Sequence, residues 1–281
     1  LAGNVVVWNV KTSQRVAEIG DELDTVLAAD ISSDHQLVAL AEPQRGVRVY
    51  STATGELKHE CRKHTDWVMS LEFSPDGVLL ASGDRAGGLL VWEAWTGREY
   101  LTLKGHTAAV NGVSWRHDSG VLASASEDQS ARVWEMENGG QIRTWNAHGG
   151  VAAIEFTRDG RILTCGRDRH ARLWDQNGGQ QHEFAALGDI ALEAAFCNET
   201  SRAFVGDWTG VVTAFNSTDA TQLGTVATNP PRLADRLARA EQRPAVNRAE
   251  HEPLAAARQA GQSDFDDANA KLSAAQKQHN E

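Results

Sequence analysis

A repeat with a period near 42 residues constrains this chain more than any other feature. Trp8, Tyr50, Trp92, Trp134, Trp174 and Phe215 follow one another at intervals of 42, 42, 42, 40 and 41, by difference of residue numbers. His64, His106 and His148 are each 42 apart on the same count. The clearest copy covers residues 105–134. It opens on Gly105-His106, passes through an alternating strand and a turn, and reaches Ser124-Ala125-Ser126-Glu127-Asp128 and then Ala131-Arg132-Val133-Trp134. A fixed period near 40, with strands and turns inside each unit, is the signature of an all-β propeller in which each unit makes one blade.

Taken in order, residues 1–22 read as the second half of a blade: a strand ending on Trp8, then another around Val16 to Ile19. Residues 23–228 read as five blades. The second shows the turn chemistry most plainly in Ser74-Pro75-Asp76-Gly77, where proline presets φ and glycine tolerates φ > 0. Five and a half blades do not close a ring, so the expectation is that either upstream sequence completes a seven-bladed propeller or this chain leaves an open edge strand.

Pro230-Pro231 ends the β pattern. Residues 229–281 then hold thirteen alanines and a single aromatic, Phe265. Leu233, Leu237 and Ala240 sit at helical spacing, while Pro244 and Pro253 interrupt any continuous helix. This predicts an α-helical tail, either a coiled-coil segment able to self-associate or a solvated extension.

Charge narrows the function classes. The net charge is −11, and residues 229–281 contribute eight Lys/Arg against eight Asp/Glu, so all of the excess lies on the repeats. That balance argues against a nucleic-acid binder and against docking on an anionic membrane. The local cluster Arg161, Arg167, Arg169 and Arg172 is the one basic rim that keeps nucleic acid in view. No stretch approaches the ~20 apolar residues of a membrane span. Cys61, Cys165 and Cys197 have no paired spacing, which reads as buried packing rather than a disulfide frame, a metal site or a haem attachment motif.

One polar set resembles catalytic machinery: His106, Ser124 or Ser126, Asp128 and Trp134. Serine, histidine and aspartate together invite a hydrolase reading. The set recurs, however, as His148, Thr164, Asp168 and Trp174, and no Gly-x-Ser-x-Gly elbow accompanies it. Repetition points to structure: a buried histidine donates to the turn aspartate and accepts from a strand hydroxyl, which in turn takes the indole N–H. No catalytic residue is assigned.

These residues resemble the WD-repeat family over about residues 1–226. The dipeptide stands as Trp174-Asp175, and in conservative form as Trp92-Glu93 and Trp134-Glu135. Gly105-His106 carries the family's Gly-His, while Lys63-His64 and Ala147-His148 keep only the histidine. Asp128 and Asp168 stand six residues before their tryptophans, as the family's turn aspartate does. Asp84, Asp207 and Glu42 stand eight before Trp92, Phe215 and Tyr50, which reads as a longer turn that need not carry the tetrad. The resemblance implies a closed ring that serves as a rigid, non-catalytic platform for protein partners. Its binding residues are sought beside the turn aspartates, at Arg85, Glu127, Arg167 and Trp208, and at Trp67, which packs either against a partner or between blades.

A narrower resemblance lies in Ser82-Gly83-Asp84-Arg85-Ala86-Gly87-Gly88, Gly206-Asp207-Trp208-Thr209-Gly210 and Asn229-Pro230-Pro231-Arg232-Leu233-Ala234. These are similar to large planctomycete-type bacterial proteins in which a c-type cytochrome domain precedes the repeats. That implies haem in an upstream domain, none in this chain, and an extracytoplasmic (periplasmic) setting. The alternatives are a cytoplasmic docking domain of a kinase- or protease-type protein, and an enzyme with a site in a central or rim pocket.

Overall fold

The computed structural model describes residues 5–19, 25–43 and 46–227. The chain divides between residues 228 and 229. The helical tail expected over 229–281 lies outside the described residues.

Every regular element among the described residues is a strand. A hairpin of β1 (Val5–Asn9) and β2 (Gln14–Ile19) comes first. Five antiparallel four-stranded sheets follow. They are β3 (Ala28–Ile31), β4 (Leu37–Ala41), β5 (Gly46–Ser51) and β6 (Leu57–Arg62); then β7 (Val68–Phe73), β8 (Leu79–Asp84), β9 (Leu89–Glu93) and β10 (Glu99–Leu103). The third holds β11 (Val110–Trp115), β12 (Val121–Ser126), β13 (Ser130–Glu135) and β14 (Gln141–Asn146). The fourth holds β15 (Val151–Phe156), β16 (Ile162–Gly166), β17 (Ala171–Trp174) and β18 (Gln180–Glu183), and the fifth β19 (Ala191–Cys197), β20 (Arg202–Asp207), β21 (Val211–Asn216) and β22 (Gln222–Ala227).

Each sheet is a simple meander, and the first strands β3, β7, β11, β15 and β19 pack on one another in succession. A sheet sandwiched between two others has no solvent face, so its central strands bury both sides instead of alternating. Strands β4, β12 and β16 are buried at every position. Leu122 and Trp134 pack backward on Leu89, Val91 and Leu103. Val121, Ala123, Ala125 and Val133 pack forward on Val151, Ile154 and Trp174. The anchor aromatic of each repeat therefore plugs the gap to the preceding sheet, and this is why its period sets the period of the fold.

A polar ladder joins the first strands. The Asp30 carboxylate accepts the Phe73 N–H at 2.7 Å, and Glu72 accepts that of Trp115 at 3.1 Å. Ser114 Oγ accepts the Phe156 N–H at 3.0 Å, and Glu155 accepts that of Phe196 at 2.7 Å. Burial raises the pKa of Asp30 and, with the charges of Asp30 and Glu155 added, lifts Glu72 well above the carboxylate range. Burial likewise pushes Glu155 up to about 7, despite its bond to the Phe196 amide.

Candidate functional site

The sequence-predicted polar sets are drawn together by the strand order. In the third sheet, β12 supplies Ser124, β13 supplies Trp134, the turn between them supplies Asp128, and the loop into β11 supplies His106. His106 Nδ1 lies 2.9 Å from Asp128 Oδ2 and its Nε2 lies 2.8 Å from Ser124 Oγ, which accepts the Trp134 indole N–H at 2.9 Å. The fourth sheet repeats this with His148, Asp168, Thr164 and Trp174, at 2.8, 2.8 and 2.7 Å. Burial depresses the pKa of both His106 and His148. A neutral ring that donates from Nδ1 and accepts at Nε2 satisfies all four members.

Burial by itself would raise Asp128. It is outweighed by the Ser130 hydroxyl, the His106 ring and the amides of Ser130 and Thr107, so the carboxyl stays well below the usual range. Ser126 is not a member of the chain. Its hydroxyl donates to the Ala108 carbonyl at 3.0 Å and accepts the Asp128 N–H at 3.1 Å. The serine of the set is Ser124 because Ser126, two residues on, has passed the end of Trp134's reach.

The second sheet overturns the longer-turn expectation. Its turn has the same length as its neighbour's, with Gly87 N–H donating to the Asp84 carbonyl where Gln129 N–H donates to that of Ser126. The aspartate has moved instead, two residues back onto the end of β8. From there its carboxylate takes His64 Nδ1 at 2.9 Å and the amides of Ala86 and Gly88 at 2.9 and 2.7 Å. His64 Nε2 lies 2.6 Å from Ser82 Oγ, which accepts the Trp92 indole N–H at 2.8 Å. The full tetrad is present. Gly88 makes it possible, because a Cβ there would collide with the Asp84 carboxylate.

The flanking sheets lack parts of the set in a matched way. Leu40 stands with Tyr50 and Val205 with Phe215, so the hydroxyl disappears where no indole N–H needs it. Gly188 takes the place of histidine, and Asp207 turns to the hydroxyl and amide of Thr209 and the amide of Val211.

This geometry bears on catalysis. Ser124 is fully buried and its oxygen is already held by a histidine and an indole N–H, so no substrate carbonyl can approach it. Among the described residues, no three His, Cys, Asp or Glu side chains form a metal-binding group. Cys61 and Cys165 are buried and Cys197 is half-buried, all as free thiols.

The candidate binding residues are brought to one face by a repeated backbone bond. The amides of Arg85, Glu127, Arg167 and Trp208 donate to the carbonyls of Trp67, Ala109, Gly150 and Ile190 at 2.9, 2.9, 3.0 and 3.0 Å. The four side chains therefore occupy equivalent positions in four consecutive sheets. Trp67 is 42% exposed rather than inserted between sheets, and the Arg85 guanidinium lies over its ring at 5.3 Å. Arg167 holds Glu127 across the sheet boundary through Nε and Nη2, at 2.8 to 3.1 Å. Trp208 is 70% exposed, the most open aromatic of the described residues.

The basic rim does not form as one patch. Arg161 belongs to the turn between β15 and β16, at the opposite ends of the strands from Arg167 and Arg169 in the turn between β16 and β17. Arg172 lies within β17 and is spent on Asp168 and Glu183. Alternate turns leave a meander on opposite faces, which separates residues that are close in sequence.

Comparison with known proteins agrees with this geometry. The model of the family described as WD domain, G-beta repeat matches residues 55–93, 97–135 and 139–175. Each matched segment begins just before the outer strand of one sheet and ends at or just after the third strand of the next, so the repeat is staggered by one strand against the sheet. Among solved structures, one titled "Structure of U3-55K" is similar at a TM-score of 0.70 and 23% identity, over 82% of this chain and 71% of that one. No curated protein matches the chain. Three segments of the chain thus match WD40 repeats, and the described four-stranded sheets that hold them form an array of the β-propeller kind.

Proposed function

We propose that this chain is a non-catalytic docking platform for protein partners, and that the face bearing Trp67, Arg85, Glu127, Arg167 and Trp208 is where they bind. The observation that carries this reading is the register of Arg85, Glu127, Arg167 and Trp208, each fixed by the same amide bond on a rigid strand end. Exposed tryptophan and arginine held on a stiff frame lose little entropy on binding, and these are the residue types in which interface energy concentrates. The tetrads are the frame, not the site.

The sequence resemblance extends the proposal to its setting: a larger bacterial protein with a covalent haem module upstream, facing the extracytoplasmic space. A visible spectrum of the full-length native protein tests that setting. A Soret band that survives denaturation supports it, and an upstream kinase or protease domain without haem replaces it with a cytoplasmic docking role.

The platform itself is tested by substitution. Arg85→Ala, Arg167→Ala and Trp208→Ala together should abolish capture of partners that wild-type protein retains, while Trp95→Ala on the opposite face should leave capture intact. Partners that stay bound to the triple variant would overturn the assignment of this face.

A further inference from the structure

Between the third, fourth and fifth sheets the proposed face opens into a cleft of about 290 Å³. One wall is apolar: Ala152 of β15, Ile190 and Leu192 at the start of β19, and the open face of Trp208. The other wall carries Arg167 and Glu127, with Asn111 beneath them. The polar side is already organised. Asn111 Nδ2 donates to Glu127 at 3.1 Å and to the Val151 carbonyl at 3.0 Å, and Glu127 in turn fixes the Arg167 guanidinium.

The hydrogen bonds decide which charge this cleft accepts. Both carboxylate oxygens of Glu127 are engaged by Arg167, and one of them also by Asn111. An incoming cation would have to break that bridge. Arg167, by contrast, uses Nε and Nη2 and leaves Nη1 without a partner among the described residues, on a side chain that is more than half exposed. Arg169 in the same turn is exposed and forms no ion pair among the described residues. A guanidinium pre-oriented on one edge and free on another is a carboxylate receptor whose orientation is settled before binding.

We infer that the cleft recognises a short acidic–apolar peptide segment, with a large apolar side chain against Leu192 and Trp208 and a neighbouring carboxylate on Arg167. This rests on the docking-face reading and gives the partner its chemistry. The acidic balance of the repeats makes it selective: an acidic segment is repelled by most of the surface and finds cations at this turn and at the Arg85–Trp67 stack.

An array of immobilised short peptides in a Gly/Ser background tests the inference. Each peptide presents Glu, Gln or Lys beside Leu, Phe, Trp or Ala, and binding of the labelled chain is read at low and moderate salt. Glu–Leu, Glu–Phe and Glu–Trp spots should exceed the Gln spots by about tenfold, the scale of one charge-assisted hydrogen bond. Arg167→Ala should erase the Glu-over-Gln preference and keep the apolar one, and Trp208→Ala should do the reverse. Arg167→Lys should restore only part of the acidic preference, since it cannot present the same edge.

Preference for Lys-containing peptides, or acidic preference that survives Arg167→Ala, would overturn the inference. The outcomes separate it from the broader reading. If the array shows no acidic–apolar preference but the triple face variant still loses its captured partners, the platform stands and only the peptide chemistry fails. If the triple variant also keeps its partners, both fail.

Discussion

At the scale of single residues, the second sheet shows that the tetrad is a set of hydrogen bonds rather than a sequence spacing. Asp84 reaches His64 from the strand end, and Asp128 reaches His106 from the turn, yet the ring nitrogens of both histidines meet the same kinds of partner at nearly the same distances. Asp84→Ser should therefore leave the His64 N–H and the Gly88 amide short of an acceptor, while the new hydroxyl can take the Ala86 amide as Ser126 takes that of Asp128, at a cost of about 3 kcal/mol. Adding Ala86→Asp to that variant rebuilds the Ser126/Asp128 arrangement of the neighbouring sheet and should recover most of the loss. Urea unfolding of the single and double variants measures both. A double variant no better than the single one would show that the two placements are not interchangeable. The sequence displayed every member of this tetrad, but the fixed offset of six residues from Trp92 hid it. Neither local pattern nor composition reports that Gly88 clears space for a carboxylate two residues out of place.

At the scale of the elements, the repeat was legible because each sheet must bury an aromatic against the preceding one. That need wrote Trp92, Trp134 and Trp174 into the chain at the period of the fold. Strand β7 ends at Phe73, where Ser74-Pro75-Asp76-Gly77 makes the turn its residues predict. The docking face was legible only in part. The register bond that equates Arg85, Glu127, Arg167 and Trp208 is made by backbone, which leaves no trace in side-chain type. The ion pair between Arg167 and Glu127 crosses 40 residues of chain. The turns between third and fourth strands follow a rule that sequence shows well: Gly55, Gly97, Gly139 and Gly178 all have positive φ. The fifth sheet breaks it with Ala220 at φ 57°, packed against the core that holds Phe184 and Phe215. A left-handed conformation costs a residue with a Cβ about 1–2 kcal/mol. Ala220→Gly should accordingly stabilise the repeat region by about 1 kcal/mol, after the extra chain entropy of glycine is offset. A higher urea midpoint without a change in slope is the expected reading, and an unchanged midpoint would mean that Ala220's partly buried methyl compensates for its strain.

At the scale of the whole molecule, the first-strand ladder ties the sheets together with acidic groups that their setting disfavours as anions. Glu155 titrates near 7 in the folded chain, raised by burial and by the nearby Glu193, which is itself raised by burial. Glu72 and Asp30 are shifted in the same direction. A carboxyl that binds its proton more tightly folded than unfolded gives stability that is present at low pH and lost as pH climbs from the ordinary carboxylate range through the folded pKa. For Glu155 that window runs from about 4.5 to about 7. The tetrads act the other way: His106 and His148 are held neutral, so their contribution falls as pH drops below their ordinary value of 6.5. Asp84, Asp128 and Asp168, all lowered, resist loss until pH falls beneath 3.8. Stability should thus weaken toward alkaline pH through the ladder and toward acid pH through the tetrads. Glu155→Gln separates the two arms, because its amide oxygen still accepts the Phe196 N–H while no charge forms. The variant should match wild type near pH 4 and exceed it by about 1–2 kcal/mol at pH 8, allowing for solvent screening at a partly open site. Thermal unfolding across that range checks the sign. An equal gain at both pH values would show that Glu155 acts through packing, and a loss at pH 8 would show that the ladder needs its charge.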